Sequence, residues 1–246
     1  MSKRQMVTLG RRRNDWPAGV ELRRRRDLAH RVAGLLDAHY GSPHHGNKDD
    51  PLDEVVFIIL SQMTTHHSFG RVFDRLKSAV PEWRLLLDMP VAHLQALIGD
   101  AGLSGQKAPR IKAIAQRLHA DFGTVTLAPL RSMGDSEAER YLTGLPGIGI
   151  KSARCVLMYA LGREVLPVDT HVWRVARRIG LVPELLPYTR VHETLHHVVR
   201  RSDRYRFHVN ALPLGRGVCI ARAPRCGVCP VLQLCPTGRR RNALMT

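Results

Sequence analysis

Residues 145–174 read LPGIGIKSARCVLMYALGREVLPVDTHVWR, and the architecture turns on them. Leu145-Pro146-Gly147-Ile148-Gly149 spells a tight turn, in which Pro146 presets φ while Gly147 and Gly149 open conformations that a Cβ resists. From Ser152 the apolar residues Ala153, Val156, Leu157, Ala160 and Leu161 recur at helical spacing, so a helix with one buried face follows and ends at Gly162. A glycine turn at a helix start leaves backbone N–H groups pointing outward with the positive end of the helix dipole behind them, a ready seat for a phosphate at Gly147 and Gly149. Lys151 stands where turn becomes helix, and Asp169 follows 18 residues later. One element therefore grips a phosphate backbone and presents an amine and a carboxylate together.

The chain of 246 residues makes one large or two small domains. Its 38 Lys and Arg against 21 Asp and Glu give a formal charge of +17, which calls for a polyanionic partner and salt-sensitive binding. No apolar run of about 18 residues exists to span a bilayer. The start, MSKRQMVTLGRRRNDW, has no apolar core of a secretory signal, so a cytoplasmic protein with residues 1–17 as a disordered basic arm is expected.

Periodicity elsewhere is helical. Leu28, Val32, Leu35 and Leu36 share a face between Val20 and Tyr40, GSPHHGNKDDP is a loop at a domain crossing, and Pro51 to Thr65 reads as a helix apolar all round. Further helices are expected over 67–79, 90–99, 107–121, 134–142, 170–179, 187–201 and 203–216, with Pro213 interrupting the last and Thr170 capping the helix after Asp169. Lys107 and Arg110 suit phosphates. No alternating run is long enough for a sheet, so the fold is all-α.

Of five cysteines, Cys219, Cys226, Cys229 and Cys235 are spaced C-x6-C-x2-C-x5-C. Thiolates are soft ligands, and in a reducing compartment such crowding holds metal rather than disulfides. The spacing by itself leaves zinc and an iron–sulfur cluster both open, since a single C-x2-C knuckle is present. Ligation by all four orders the loop and holds Arg222 and Arg225 out toward phosphates. Cys155, inside the hairpin helix, reads as an ordinary small core residue.

LPGIGIKSA followed by VDTHVWRV, with this cysteine spacing, resembles the helix-hairpin-helix DNA glycosylases of the endonuclease III type over about residues 20–236. The resemblance implies Lys151 as nucleophile, Asp169 as catalytic carboxylate and a [4Fe–4S] cluster on the four cysteines. It implies a two-domain helix-hairpin-helix glycosylase fold. A six-helix barrel domain spans 50–165, a cluster domain is built from 18–49 plus 166–238, and a basic unstructured tail covers 239–246. Duplex DNA containing damaged bases or abasic sites would cross the cleft between them, bound by a monomer. The tip Ser61-Gln62-Met63-Thr64-Thr65 would insert beside the base pair that loses its base, and Ala101 to Lys107 would form a second probing loop. In that loop Leu103 is either a wedge between base steps or a local core residue. Family members often carry Gln or Asn at the position of Met63 and Asp at that of His66, two departures that bear on substrate range. His171 sits near the cluster in the family, or is a polar helix-start residue.

Breaking a C1′–N bond develops positive charge that a carboxylate stabilises, and a deprotonated lysine can attack C1′. A lysine pKa near 10.4 must then be lowered, and the helix N-terminus beside Lys151 acts in that direction. The resulting Schiff base permits β-elimination of the 3′ phosphate, making the enzyme bifunctional, with oxidised pyrimidines the family default. The adenine-mismatch branch is rejected, because its mid-helix Glu falls at Ile58 here and its lysine position is normally not lysine. A monofunctional mismatch thymine or uracil glycosylase and a weakly catalytic DNA-structure binder remain as alternatives.

Overall fold

The structure, a computed structural model, describes residues 19–63 and 69–244. The helices are α1 (Gly19–Tyr40), α2 (Pro51–Ser61), α3 (Phe69–Ala79), α4 (Val91–Leu97), α5 (Ser104–Phe122), α6 (Asp135–Thr143), α7 (Ile150–Tyr159), α8 (Thr170–Ile179), α9 (Tyr188–Val198), α10 (Arg204–Pro213) and α11 (Pro236–Ala243). Among the described residues there is no strand, as the all-α expectation requires. Nor is any of their helices long and apolar enough to cross a membrane.

Two hydrophobic cores divide the molecule. The first gathers α2 to α7 around α2, whose Val55, Ile59 and Leu60 are fully buried, with Phe57 and Phe73 packed edge to face beside them and Trp83 tilted against Phe73. Burial on every side explains why α2 is apolar all round. Its start is fixed by Asp50, whose carboxylate accepts from the N–H groups of Leu52 and Asp53, and by Pro51 in the first turn. The second core joins α1 to α8, α9 and α10 through Val32, Leu36, Val172, Val175, Leu195 and Phe207. The chain crosses between them twice. In the first crossing Ser42 N–H donates to Asn210 Oδ1 at 3.0 Å and His45 Nε2 lies 2.8 Å from Val209 O, so the loop is pinned to α10.

Four expectations change. The helix expected over Pro51–Thr65 ends at Ser61, and Thr64, Thr65 and His66 lie outside the described residues, as does the arm 1–17. The fifth helix begins at Ser104 rather than at Lys107, because Leu103 takes a left-handed turn (φ 51°) straight into it. Pro213 closes α10 but does not stop the chain curling on, since a wider π-type turn continues over Leu214–Val218. The supposedly unstructured tail is a helix through Ala243. Cys235 caps α11, its sulfur accepting from Gly238 N–H at 3.2 Å, and Pro236 presets the first turn.

Candidate active site

The hairpin places Lys151 one residue inside α7, whose cap, Gly149, offers no side-chain acceptor to the first-turn amides. Asp169 is itself the cap of α8, in place of Thr170, and its Oδ1 accepts from Val172 N–H at 2.8 Å. Lys151 and Asp169 face a common cavity of about 220 Å³. That is below the roughly 300 Å³ at which drug-sized pockets begin, and fits a single flat ring better than a whole nucleotide. Phe57, Ile58 and Phe69 line its apolar side, and Asn47, Ser61, Cys155, Tyr159, His208 and Arg216 its polar side. Ile58 thus occupies a cavity-facing position, where a carboxylate is absent.

Electrostatics run against one expectation. The Lys151 ammonium is held above its ordinary range, first by the charge and hydrogen bond of the Cys155 sulfur, then by Asp169 and Glu54, against the opposing effect of burial. The helix-start dipole does not prevail over these neighbours. Cys155, one helical turn on from Lys151, is the buried core residue expected, and it also lines the cavity. Burial pushes its thiol up to about 11 although the Lys151 charge opposes the shift, so it stays protonated at neutral pH. Glu54, fully buried on α2, is lifted to about 7, chiefly by desolvation. Burial keeps His208 neutral, pulling it down to about 4. Its Nδ1 lies 3.0 Å from Pro167 O, so the neutral ring carries its proton there and leaves Nε2 as an acceptor.

The end of α2, the turn before α5 and the hairpin are tied to one another. Gln62 Nε2 donates to Gly147 O at 3.1 Å, joining the end of α2 to the hairpin. Gly147 needs its glycine, since φ is +80° and a Cβ would stand 3.0 Å from Arg110 Cδ. Met63 (88 % exposed) and Leu103 (49 % exposed) both stand out in left-handed conformations. Lys107 departs from its expected place on a phosphate. It is buried, and its Nζ donates at 2.8 Å to both Leu60 O and Ala101 O, three residues before Met63 and two before Leu103. Its early position in α5 turns the side chain inward, and burial lowers it to about 8.

At the other end of α8, Arg174 donates to Cys219 O at 2.8 Å and Gly215 O at 2.7 Å, and Arg178 to Ile220 O and Ala221 O, each at 2.7 Å. His171 packs against Gly215, where a Cβ would approach it to 2.7 Å. It thus lies beside the segment leading to Cys219. The four spaced cysteines are free and line one small cavity with Arg178, Leu232 and Gly238. This donor set suits a [4Fe–4S] cluster. Among the described residues no three His, Cys, Asp or Glu side chains converge as ligands of a single ion. Four thiols ringing a cavity are what a multi-atom cubane requires. Arg222 and Arg225 are exposed on the loop between Cys219 and Cys226.

Sequence periodicity missed Glu54, Asn47, His208 and the part played by Cys155. The signals were present, since a carboxylate inside an apolar helix and a thiol at i+4 from the lysine both stand in the primary structure.

Residues 56–201 match the model of the HhH-GPD superfamily base excision DNA repair proteins, and 219–235 that of the iron–sulfur binding domain of endonuclease III. Endonuclease III of Bacillus subtilis is 32% identical over 194 residues, covering 78% of this chain and 84% of that protein. A putative DNA glycosylase of Arabidopsis thaliana is 33% identical over 165 residues, 67% of this chain, and the matched stretch spans 56% of that protein's length. The structure of a trapped endonuclease III–DNA covalent intermediate superposes with a TM-score of 0.76 at 25% identity, covering 88% of this chain and 98% of that one. The chain therefore belongs to the helix-hairpin-helix superfamily of base excision DNA repair proteins, on the endonuclease III branch of DNA glycosylases and abasic-site lyases that carry a [4Fe–4S] cluster.

Proposed function

We propose that the protein excises oxidised pyrimidines from duplex DNA and then nicks the strand, with Lys151 as nucleophile and Asp169 as the stabilising carboxylate. The observation that carries this is the meeting of both side chains in one ring-sized cavity at the starts of α7 and α8. The damaged base must leave the stack to reach them. Exposed Met63 and Leu103 are placed to fill the gap it leaves, and the hairpin amides at Gly147 and Gly149 to hold the phosphates. Asp169, fixed by its bond from Val172 N–H, lowers the cost of positive charge as the C1′–N bond breaks. The free amine of Lys151 attacks C1′, and the base leaves with the bonding pair. Ring opening gives a protonated imine, loss of a C2′ proton follows, and the 3′ phosphate departs by β-elimination. Lys151 rests as an ammonium in the free protein, so its proton must leave before attack.

The cluster on Cys219, Cys226, Cys229 and Cys235 supplies order to the closing loop. Arg222 and Arg225 lie there as phosphate contacts, and the two cores correspond to domains 50–165 and 18–49 plus 166–238. The protein would act as a monomer on chromosomal DNA in the cytoplasm.

Borohydride trapping on a duplex with one abasic site tests the chemistry. A covalent band in the wild type that vanishes in Lys151→Ala is expected. Absence of a band, with tight DNA binding and an intact brown cluster, moves the protein to monofunctional excision or DNA-structure binding.

A further inference from the structure

Glu54 takes no part in the chemistry above, yet it is fully buried in an otherwise apolar helix, where a leucine would pack without penalty. Keeping a carboxylate there is costly unless it is well partnered. Its partners are local: Asn47 Nδ2 donates to Oε1 at 2.6 Å and Lys48 N–H to Oε2 at 2.8 Å. Lys48 follows Asn47 in the crossing loop, so the carboxylate holds that loop by two adjacent residues. Asn47 lines the cavity that contains Lys151 and Asp169, whereas Glu54 lies behind the wall.

This arrangement decides which way the carboxamide faces. An ionised carboxylate only accepts, so the Asn47 NH₂ must be the end turned to Glu54; the flipped amide would press two acceptors together at 2.6 Å. Its carbonyl oxygen and second N–H are then the groups left to a guest. Other polar residues of the wall already spend an atom on the protein: Ser61 Oγ donates to Ile58 O, and His208 Nδ1 to Pro167 O.

We propose that Asn47 reads the extruded base, its carbonyl oxygen accepting a hydrogen bond from an N–H on the base's pairing edge, and that Glu54 is the positioning residue that fixes the carboxamide for this task. The assignment rests on the excision activity proposed above, and the site selects pyrimidines that carry such an N–H.

The test uses the full chain with its cluster, as wild type, Asn47→Ala and Glu54→Gln, at pH 8, where Glu54 is ionised. Two reactions are followed: base release from a duplex bearing 5-hydroxyuracil, and strand cleavage at a preformed abasic site. Two uncleavable duplexes measure binding, one with a 2′-fluorinated 5-hydroxyuracil nucleotide and one with a tetrahydrofuran abasic analogue. Asn47→Ala should lose about 10- to 100-fold in base release and in affinity for the fluorinated duplex, the worth of one buried hydrogen bond, while abasic cleavage and tetrahydrofuran binding stay within about twofold. Glu54→Gln should show a smaller loss confined to the base-bearing duplexes, because a neutral amide no longer dictates the orientation of Asn47. Equal behaviour of Asn47→Ala and wild type on all four duplexes overturns the proposal. So does a parallel fall in both reactions, which marks a loop that merely props the site. Should the wild type neither release base nor form a Schiff base, the proposed activity fails, and the paired affinities still decide whether Asn47 reads a base.

Discussion

Asp169 and Glu54 keep Lys151 an ammonium in the working pH range, where the neighbouring Cys155 thiol is uncharged. The sulfur one turn along the helix adds its charge to this only as the thiol ionises, near 11. Replacing Cys155 by alanine therefore removes a neutral neighbour and leaves the two carboxylates opposing burial. The trapping rate on abasic DNA rises with pH as Lys151 loses its proton, and in Cys155→Ala this rising limb should keep its position. Single-turnover trapping at pH 7 should stay within about twofold of wild type, at a stability cost on the order of 1 kcal/mol for the lost side chain. A limb displaced toward lower pH would show that the sulfur carries charge beside Lys151 at neutrality. The thiol itself, held near 11, remains neutral throughout the assay range.

At the scale of elements, the two turns proposed to meet DNA are joined by one buried lysine. Lys107 reaches from α5 to the end of α2 and to the turn before Leu103, so Lys107→Met leaves the carbonyls of Leu60 and Ala101 without that donor. A hydrogen bond from a charged donor contributes about 1.5–3 kcal/mol, so losing two should cost roughly 3–6 kcal/mol in urea unfolding. The dependence of DNA affinity on salt should keep its slope, since no phosphate contact is lost. A stable variant whose salt slope falls by about one would instead restore Lys107 to the DNA surface. The same lysine measures how far elements were legible in sequence. Helical spacing located α5, α7 and α8, and the glycine turn located the hairpin, because these are local properties of a few residues. Spacing gave Lys151, Asp169 and the four cysteines through a resemblance. It did not reveal that Lys107 points inward, because the spacing predicts a helix that begins at that residue; starting at Ser104, the helix carries Lys107 one turn before Ile111 on the same buried face. Nor did it show that α8 serves two sites, Asp169 at its cap and Arg174 and Arg178 on the cysteine loop, since those bonds span more than 40 residues.

For the whole molecule, buried titratable groups decide how the fold meets acid. Burial together with the nearby Arg154 charge lowers His192 to about 4 and His196 to about 3, and burial lowers His208 to about 4. The Nδ1 of His192 has no hydrogen-bond partner in the structure. An unfolded histidine titrates near 6.5, so these three contribute stability present above that pH and lost as pH falls from about 6.5 to about 4. Glu54 acts in the opposite sense. Its raised value means that the folded chain keeps a proton the unfolded chain releases between about 4.5 and about 7, so its contribution is lost as pH rises through that window. Three protons gained on unfolding against one released leave a net uptake of two between about pH 4.5 and 6.5. The ideal slope of about 2.7 kcal/mol per pH unit shrinks to on the order of 2, because His196 is only partly buried and solvent screens it. Urea midpoints should therefore fall steeply from pH 6.5 to 5 while cluster absorbance is still intact. His192→Asn should flatten the slope by about one proton, and Glu54→Gln should steepen it, because the opposing release disappears. A midpoint that stays level from pH 7 to 5 would mean that the three rings take up protons in the folded state, and that the interior around α9 and α10 is wetter than its packing implies.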